Sequence, residues 1–196
     1  LTPAQLNTLI NFKAGTNDTT FTQATKLPIV NMYKNDIASE IVKRSPSYFL
    51  IPAGFNLVAD QREYGLADDI LNVLTNKVEI AFATADNRLP ATYLKDYRGS
   101  EAETEITNEF TNQRGDFAFT LRRRAIFILS GTIVASTYST ATGGVRYIAN
   151  IYPADLANLT STTDMATDPS TTTFGFPRQF HELLARRVSM EYKDRN

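Results

Sequence analysis

The chain has 196 residues, a formal net charge of −1, and 42% hydrophobic and 11% aromatic side chains; this suffices for one good-sized core or two small layered units and excludes a wholly disordered polymer. The absence of Cys excludes disulfides, thiolate metal sites and thiol nucleophiles, a single His argues against a zinc centre, and the near-zero charge steers the whole molecule toward neither nucleic acid nor an anionic membrane. No apolar run approaches the ~20 residues of a membrane span, and Leu1-Thr2-Pro3-Ala4-Gln5 lacks a basic-then-apolar signal pattern, so a soluble protein made in a cytoplasm, without cofactor or metal, is expected.

The first element is a helix. Thr2 caps it, Pro3 suits its first position, Gln5 completes a capping box, Leu6, Leu9 and Ile10 form an apolar stripe, and Gly15 ends it. A second helix is expected from Pro28 to Arg44, with Ile29, Tyr33, Ile37 and Ile41 on one side and Lys34, Asp36, Glu40 and Lys43 on the other. Ser45-Pro46 stops it. The pattern then changes to β. Residues 55–58 and 62–66 suggest two strands around Ala59-Asp60-Gln61, and 71–83 alternates through Val78, Ile80 and Phe82. A short helix is expected from the Ser100/Glu103 capping box and the Ala102, Ile106, Phe110 stripe. Residues 117–121 and 125–129 read as a hairpin, and 145–151 as a further strand. After Pro177 a closing helix carries Phe180, Leu183, Leu184, Val188 and Tyr192 on one face. Two stretches, 136–144 and 160–173, are rich in Ser, Thr and Gly and suggest functional or mobile loops.

Helices at both ends and a β-rich middle imply an α+β fold: amino-terminal helices (1–46), an inserted antiparallel sheet or sandwich lobe with one short helix (47–159), and a loop and carboxyl-terminal helix (160–196) packing back on the first helices. Neither layer looks self-sufficient, since small cores rarely supply more than ~3–5 kcal/mol, so burial shared between neighbouring copies is expected.

This order of segments resembles the head-to-tail adaptor, or connector, proteins of tailed-bacteriophage necks. The residues that carry it are Arg62-Glu63-Tyr64-Gly65-Leu66-Ala67-Asp68-Asp69-Ile70-Leu71, similar to the family's strand-then-turn segment with Ala67 where proline is usual; Phe117-Ala118-Phe119-Thr120-Leu121 with Ile126-Phe127-Ile128-Leu129, similar to its hairpin; Tyr147-Ile148-Ala149-Asn150-Ile151-Tyr152-Pro153-Ala154-Asp155-Leu156, similar to its next strand; and Phe176-Pro177-Arg178-Gln179-Phe180-His181-Glu182-Leu183-Leu184, similar to the start of its closing helix. The resemblance implies a structural virion protein. Its copies would form a ring, commonly a dodecamer, below the portal protein; the ring would contact tail and neck proteins and pass genomic DNA without reading its sequence or performing bond chemistry. Alternatives are a tail terminator, neck stopper or tail-tube subunit and, from another class, a carbohydrate- or protein-binding β-sandwich displaying Tyr93, Tyr97 and Tyr138. A small hydrolase is the least supported.

Candidate sites follow from local patterns. His181 beside Glu182 lacks a nucleophile elbow and is expected at the edge of a core. Asp68-Asp69 suits a turn rather than a cation loop. Glu101, Glu105 and Glu109 stack at i+4 on one face, fit for a basic partner, an acidic channel wall, or solvent. Arg122, Arg123 and Arg124 fall at a hairpin tip, where phosphate contact, partner contact and solvation compete. Arg178, Arg186 and Arg187 lie on the closing helix, whose end, Tyr192, Lys193 and Arg195, is the segment that the resemblance places against the portal.

Overall fold

A computed structural model describes residues 1–58, 61–81, 88–94, 117–129 and 143–195. The chain divides into two compact units, Leu1–Phe49 with Ile151–Asn196, and Leu50–Asn150.

The first unit is helical. α1 (Pro3–Ala14) begins with the expected capping box, Thr2 Oγ1 accepting from the Gln5 N–H at 3.2 Å and Gln5 Oε1 from the Thr2 N–H at 3.0 Å. It ends at Gly15, whose φ of +70° is open to a residue without Cβ. α2 (Gln23–Arg44) starts earlier than Pro28, because Thr22 caps it by accepting from the Thr25 N–H. Pro28 therefore lies inside the helix, where its ring removes one backbone bond. A 3-10 turn, Arg178–Phe180, leads into α3 (His181–Arg195). α3 packs on both α1 and α2, as expected for the terminal helices. Leu6 and Ile10, Val30 and Ile37, and Leu184 and Val188 bring the three apolar faces together at full burial. At the rim, Tyr33 Oη donates to Glu191 at 2.7 Å and Arg187 reaches both Glu40 oxygens at 3.1 Å.

The phase of α3 differs from expectation. Leu183 is 38% exposed, whereas His181 is buried. Within α3 the buried face is made by His181, Leu184, Ala185 and Val188, and at about 100° per residue Leu183 falls on the opposite side. Lys34, expected on the solvent side of α2, is also buried.

The second unit is a curled seven-stranded sheet. Its strands are β1 (Leu50–Phe55), β2 (Glu63–Gly65), β3 (Ile70–Ala81), β4 (Arg88–Tyr93), β5 (Phe117–Arg122), β6 (Ala125–Ile128) and β7 (Val145–Ile151), in the order β1-β7-β3-β4-β5-β6-β2. The expected β5–β6 hairpin is present in the register Arg122↔Ala125, and β7 covers 145–151 as expected. Residues 55–66 do not form a hairpin: β2 pairs with β6, not β1. β4 was not anticipated, and it runs parallel to β5, whereas the β1–β7, β3–β4, β5–β6 and β2–β6 pairs are antiparallel. Although β1 and β2 are the two edges of the sheet, Phe55 and Tyr64 stack at 5.6 Å, and Phe55 meets Tyr147 at 5.1 Å. Tyr64 Oη also accepts from the Val58 N–H at 3.0 Å, so one aromatic residue holds the curl and the chain leaving β1. Burial pushes the Tyr147 phenol up to about 12.

Replacing Leu184 by Ala should destabilise the protein by ~2–5 kcal/mol, since the side chain is fully buried where α3 meets the other helices. Urea unfolding measures this directly, and a loss below ~0.5 kcal/mol is what an exposed position would give.

Candidate interaction surfaces

Two ammonium groups organise the helical unit, and neither was anticipated. Lys26 and Lys34 are both on α2, and the described side chains at these positions are 0% and 1% exposed. An ammonium has three hydrogens to place. Lys26 Nζ donates to Asn7 Oδ1 at 2.5 Å, Asn11 Oδ1 at 2.7 Å and Asp18 Oδ1 at 2.5 Å. The two amides in turn donate to the Asp18 carboxylate, Asn7 at 3.0 Å and Asn11 at 2.8 Å. The hydrogen bond from Asn11, and next the one from Lys26, lower the Asp18 pKa from 3.8 to about 2. Phe21 places its ring 5.4 Å from the same ammonium and stacks on Tyr192 at 4.5 Å.

Lys34 Nζ donates to the Pro153 and Ala154 carbonyls at 2.8 and 2.7 Å and to Asp155 Oδ1 at 2.7 Å. One turn earlier, Asn31 exchanges two hydrogen bonds with the Leu156 backbone, at 3.0 and 2.9 Å. α2 thus clamps the segment that returns from β7. That segment forms one wall of a cavity of about 250 Å³, with Pro3, Met165 and Pro169 among its other lining residues. The far wall depends on Gly175, where an added Cβ would lie 2.5–2.7 Å from the Ala166 and Thr167 backbone. Asp155 and Asp164 are the ionisable side chains of the lining; Asp164 also holds Arg178 at 2.6 Å.

His181 lies in the core, not at its edge. Its Nε2 is 2.8 Å from the Phe176 carbonyl, its Nδ1 is 2.9 Å from the Leu1 nitrogen, and its ring stacks on Phe176. This network suits a neutral imidazole with the proton on Nε2, and burial lowers its pKa. All its polar atoms are engaged in structure.

The carboxyl end is only partly free to meet a partner. Tyr192 packs on Phe21 within the helical unit, and Arg195 pairs with Glu191 at 2.5 Å. Lys193 is exposed. At the β5–β6 turn, Arg122 lies over the Phe127 ring at 4.3 Å, and Arg124 donates to the Ala67 carbonyl at 2.8 Å while standing 3.9 Å from Asp68. Arg123, with φ of +52°, is exposed at the tip. Asp68 and Asp69 occupy a turn, as expected, although Asp68 faces Arg124. Glu101, Glu105, Glu109, Tyr97 and Tyr138 lie outside the described residues. Tyr93 tilts against Phe119 at 5.4 Å. Among the described residues no group of three or more His, Cys, Asp or Glu could hold a metal ion, and no helix is long and apolar enough to cross a membrane.

Apolar exposure in the helical unit is concentrated in a few side chains. Phe12 on α1 is 83% exposed, more than any other large hydrophobic residue described. It follows Gln5 and Thr8 along an otherwise polar stripe. No family model matches the chain, and no curated protein matches it.

Two acid-sensitive groups give separate predictions. The Asp18 pKa is depressed in the folded chain, so its stabilisation is present above the ordinary value of 3.8 and is lost as pH falls toward about 2. Replacing Asp18 by Asn should remove that acid limb, and it should lower stability at neutral pH by less than the roughly 3–5 kcal/mol of a fully buried pair, because the carboxylate is half-exposed. For His181 the neutral form is favoured by folding. Its contribution is present above pH 6.5 and declines as pH falls below that value. Melting curves from pH 7.5 to 5 should therefore fall more steeply for the natural chain than for His181→Gln; equal slopes would show that the imidazole does not titrate with folding.

Proposed function

We propose that the protein is a structural subunit of a phage neck, forming a ring beneath the portal that carries the DNA channel toward the tail. The observation that carries this reading is the layout. Helices from the two ends of the chain close on one another, and a curled sheet is inserted in sequence between them, the arrangement on which the resemblance to head-to-tail adaptors rests. Physical economy supports an assembled state. The helical unit invests two buried ammonium networks in holding its segments, and it leaves a phenyl ring almost wholly in water.

In this role the portal and the tail proteins are the partners, and DNA passes without base contacts. In the two segments singled out for partner contact, Arg123, Arg124, Lys193 and Arg195 are exposed; Arg124 already faces Asp68 and Arg195 already pairs with Glu191. Arg122 and Arg124 serve the hairpin first, and Tyr192 serves the helical core.

The purified chain mixed with portal rings from the same virion should co-sediment with them, and averaged electron images should show an added ring on the portal's tail-facing side. Lys193→Glu should weaken this association without lowering the melting temperature. A chain that stays separate from portals at every concentration and salt tested would overturn the assignment.

A further inference from the structure

We propose that copies of this chain join head to tail by inserting Phe12 of one copy into the cavity beside Pro3 of the next. The inference rests on the ring assignment above and names the contact that builds the ring.

The knob and the hole are both in the helical unit, at opposite ends of α1. Phe12 is nine positions after Pro3, about 13 Å along the axis at ~1.5 Å per residue. Its ring is 83% exposed, so it makes little contact within its own chain. The cavity is the reverse case. Its volume is about 250 Å³, and apolar groups of Pro3, Leu156, Met165 and Pro169 line it. The volume exceeds the ~150 Å³ of an enclosed apolar cavity that binds benzene, so there is room for a phenyl ring in this open pocket, although Asn158, Ser161, Thr163 and Thr167 also line it. Burying an aromatic side chain removes roughly 150–250 Å² from water, and such residues supply most of the affinity at interfaces.

Charge matches the same pairing. Lys13, next to Phe12, is the one charged side chain of α1. The cavity lining contains two carboxylates, Asp155 and Asp164, and no Lys or Arg. Both carboxylates already pair with a cation within the chain, and Lys13 pairs with the Glu182 carboxylate, so the charges orient the contact and the ring provides its strength. The cavity wall does not have to form on contact. The Lys34 and Asn31 clamps and the close backbone approach at Gly175 hold it before a neighbour arrives.

A surface that gives a knob on one side and takes one on another is heterologous, and repeated contacts close into a ring when the rotation permits. Two variants separate the halves of the contact. Phe12→Gln removes the knob and keeps the cavity; Ala157→Trp closes the mouth and keeps the knob. Both positions are exposed, so each variant should melt as the natural chain does. By native mass spectrometry and sedimentation, the natural chain should form species larger than dimers, and each variant alone should self-associate on the order of tenfold more weakly or less. An equal mixture should form dimers and nothing larger, because only one productive knob and one productive cavity remain per pair. Self-association unchanged in Phe12→Gln, a natural chain that stays monomeric, or a mixture no more associated than its components would each overturn the contact. A cavity filled by an upstream segment of a longer chain would appear as association insensitive to both variants and would also overturn it. Rings that form through Phe12 but never join a portal would sink the neck assignment alone; portal-bound rings untouched by either variant would sink only this contact.

Discussion

The helical unit depends on α2 carrying two ammonium groups out of water. Burying one lysine costs several kcal/mol unless its hydrogens find acceptors, and here each of the two meets three oxygens. The positions are eight apart, so at about 100° per residue they point to neighbouring sides of the helix. Lys26 gathers α1 and the connector at Asp18; Lys34 gathers the segment that follows β7. Ionic ties of this kind add little net stability compared with well-packed apolar side chains, and their stronger effect is to penalise every arrangement that leaves them unmet. The two ends of the chain are therefore brought to one helix by geometry that a sliding apolar contact would not enforce.

Several local departures make sense beside these ties. Pro28 sits inside α2 and removes a backbone bond, but the turn before it is held by Lys26 and its three partners. Phe49 adopts a positive φ of 58°, uncommon for a bulky residue. Its ring is packed against Phe174 and its carbonyl accepts from the Ile151 N–H at 3.0 Å, so burial and a backbone bond hold the conformation where α2 gives way to β1.

Elements whose signals are local were legible in the sequence. The Thr2/Gln5 box and Gly15 bounded α1, alternation located β7, and paired apolar runs around the arginines located the hairpin. What failed needed long-range information. Charge type alone places Lys34 in solvent, yet the oxygens that accept its hydrogen bonds come from residues 153–155, far along the chain. β2 pairs with β6 rather than β1, and Tyr64 meets Phe55 from the opposite edge of the curled sheet; both relations join residues that no short window contains together with β6. β4 has proline in its interior and a parallel neighbour, and both weaken the usual strand signal. Phe12 shares a face of α1 with Gln5 and Thr8, a signal that was missed because the Leu6, Leu9 and Ile10 stripe accounts for the helix without it.

The same distinction bears on how the surface could work. The carboxyl end carries basic side chains, but an exposed ion pair contributes only about 0–1 kcal/mol. Tyr192, the residue there with enough apolar area to anchor a partner, is committed to Phe21 inside the unit. An anchor must be exposed in the free subunit and fully covered in the assembly. Phe12 meets the first condition where Tyr192 does not. The cavity beside Pro3 offers the second at a fixed offset along the same helix. In the proposed contact, knob and hole sit in one frame set by α1, and the angle between successive copies would be a property of the helical core rather than of flexible side chains at a chain end. A ring with a defined number of copies needs that kind of constraint, because small errors in a repeated rotation accumulate until the ring no longer closes.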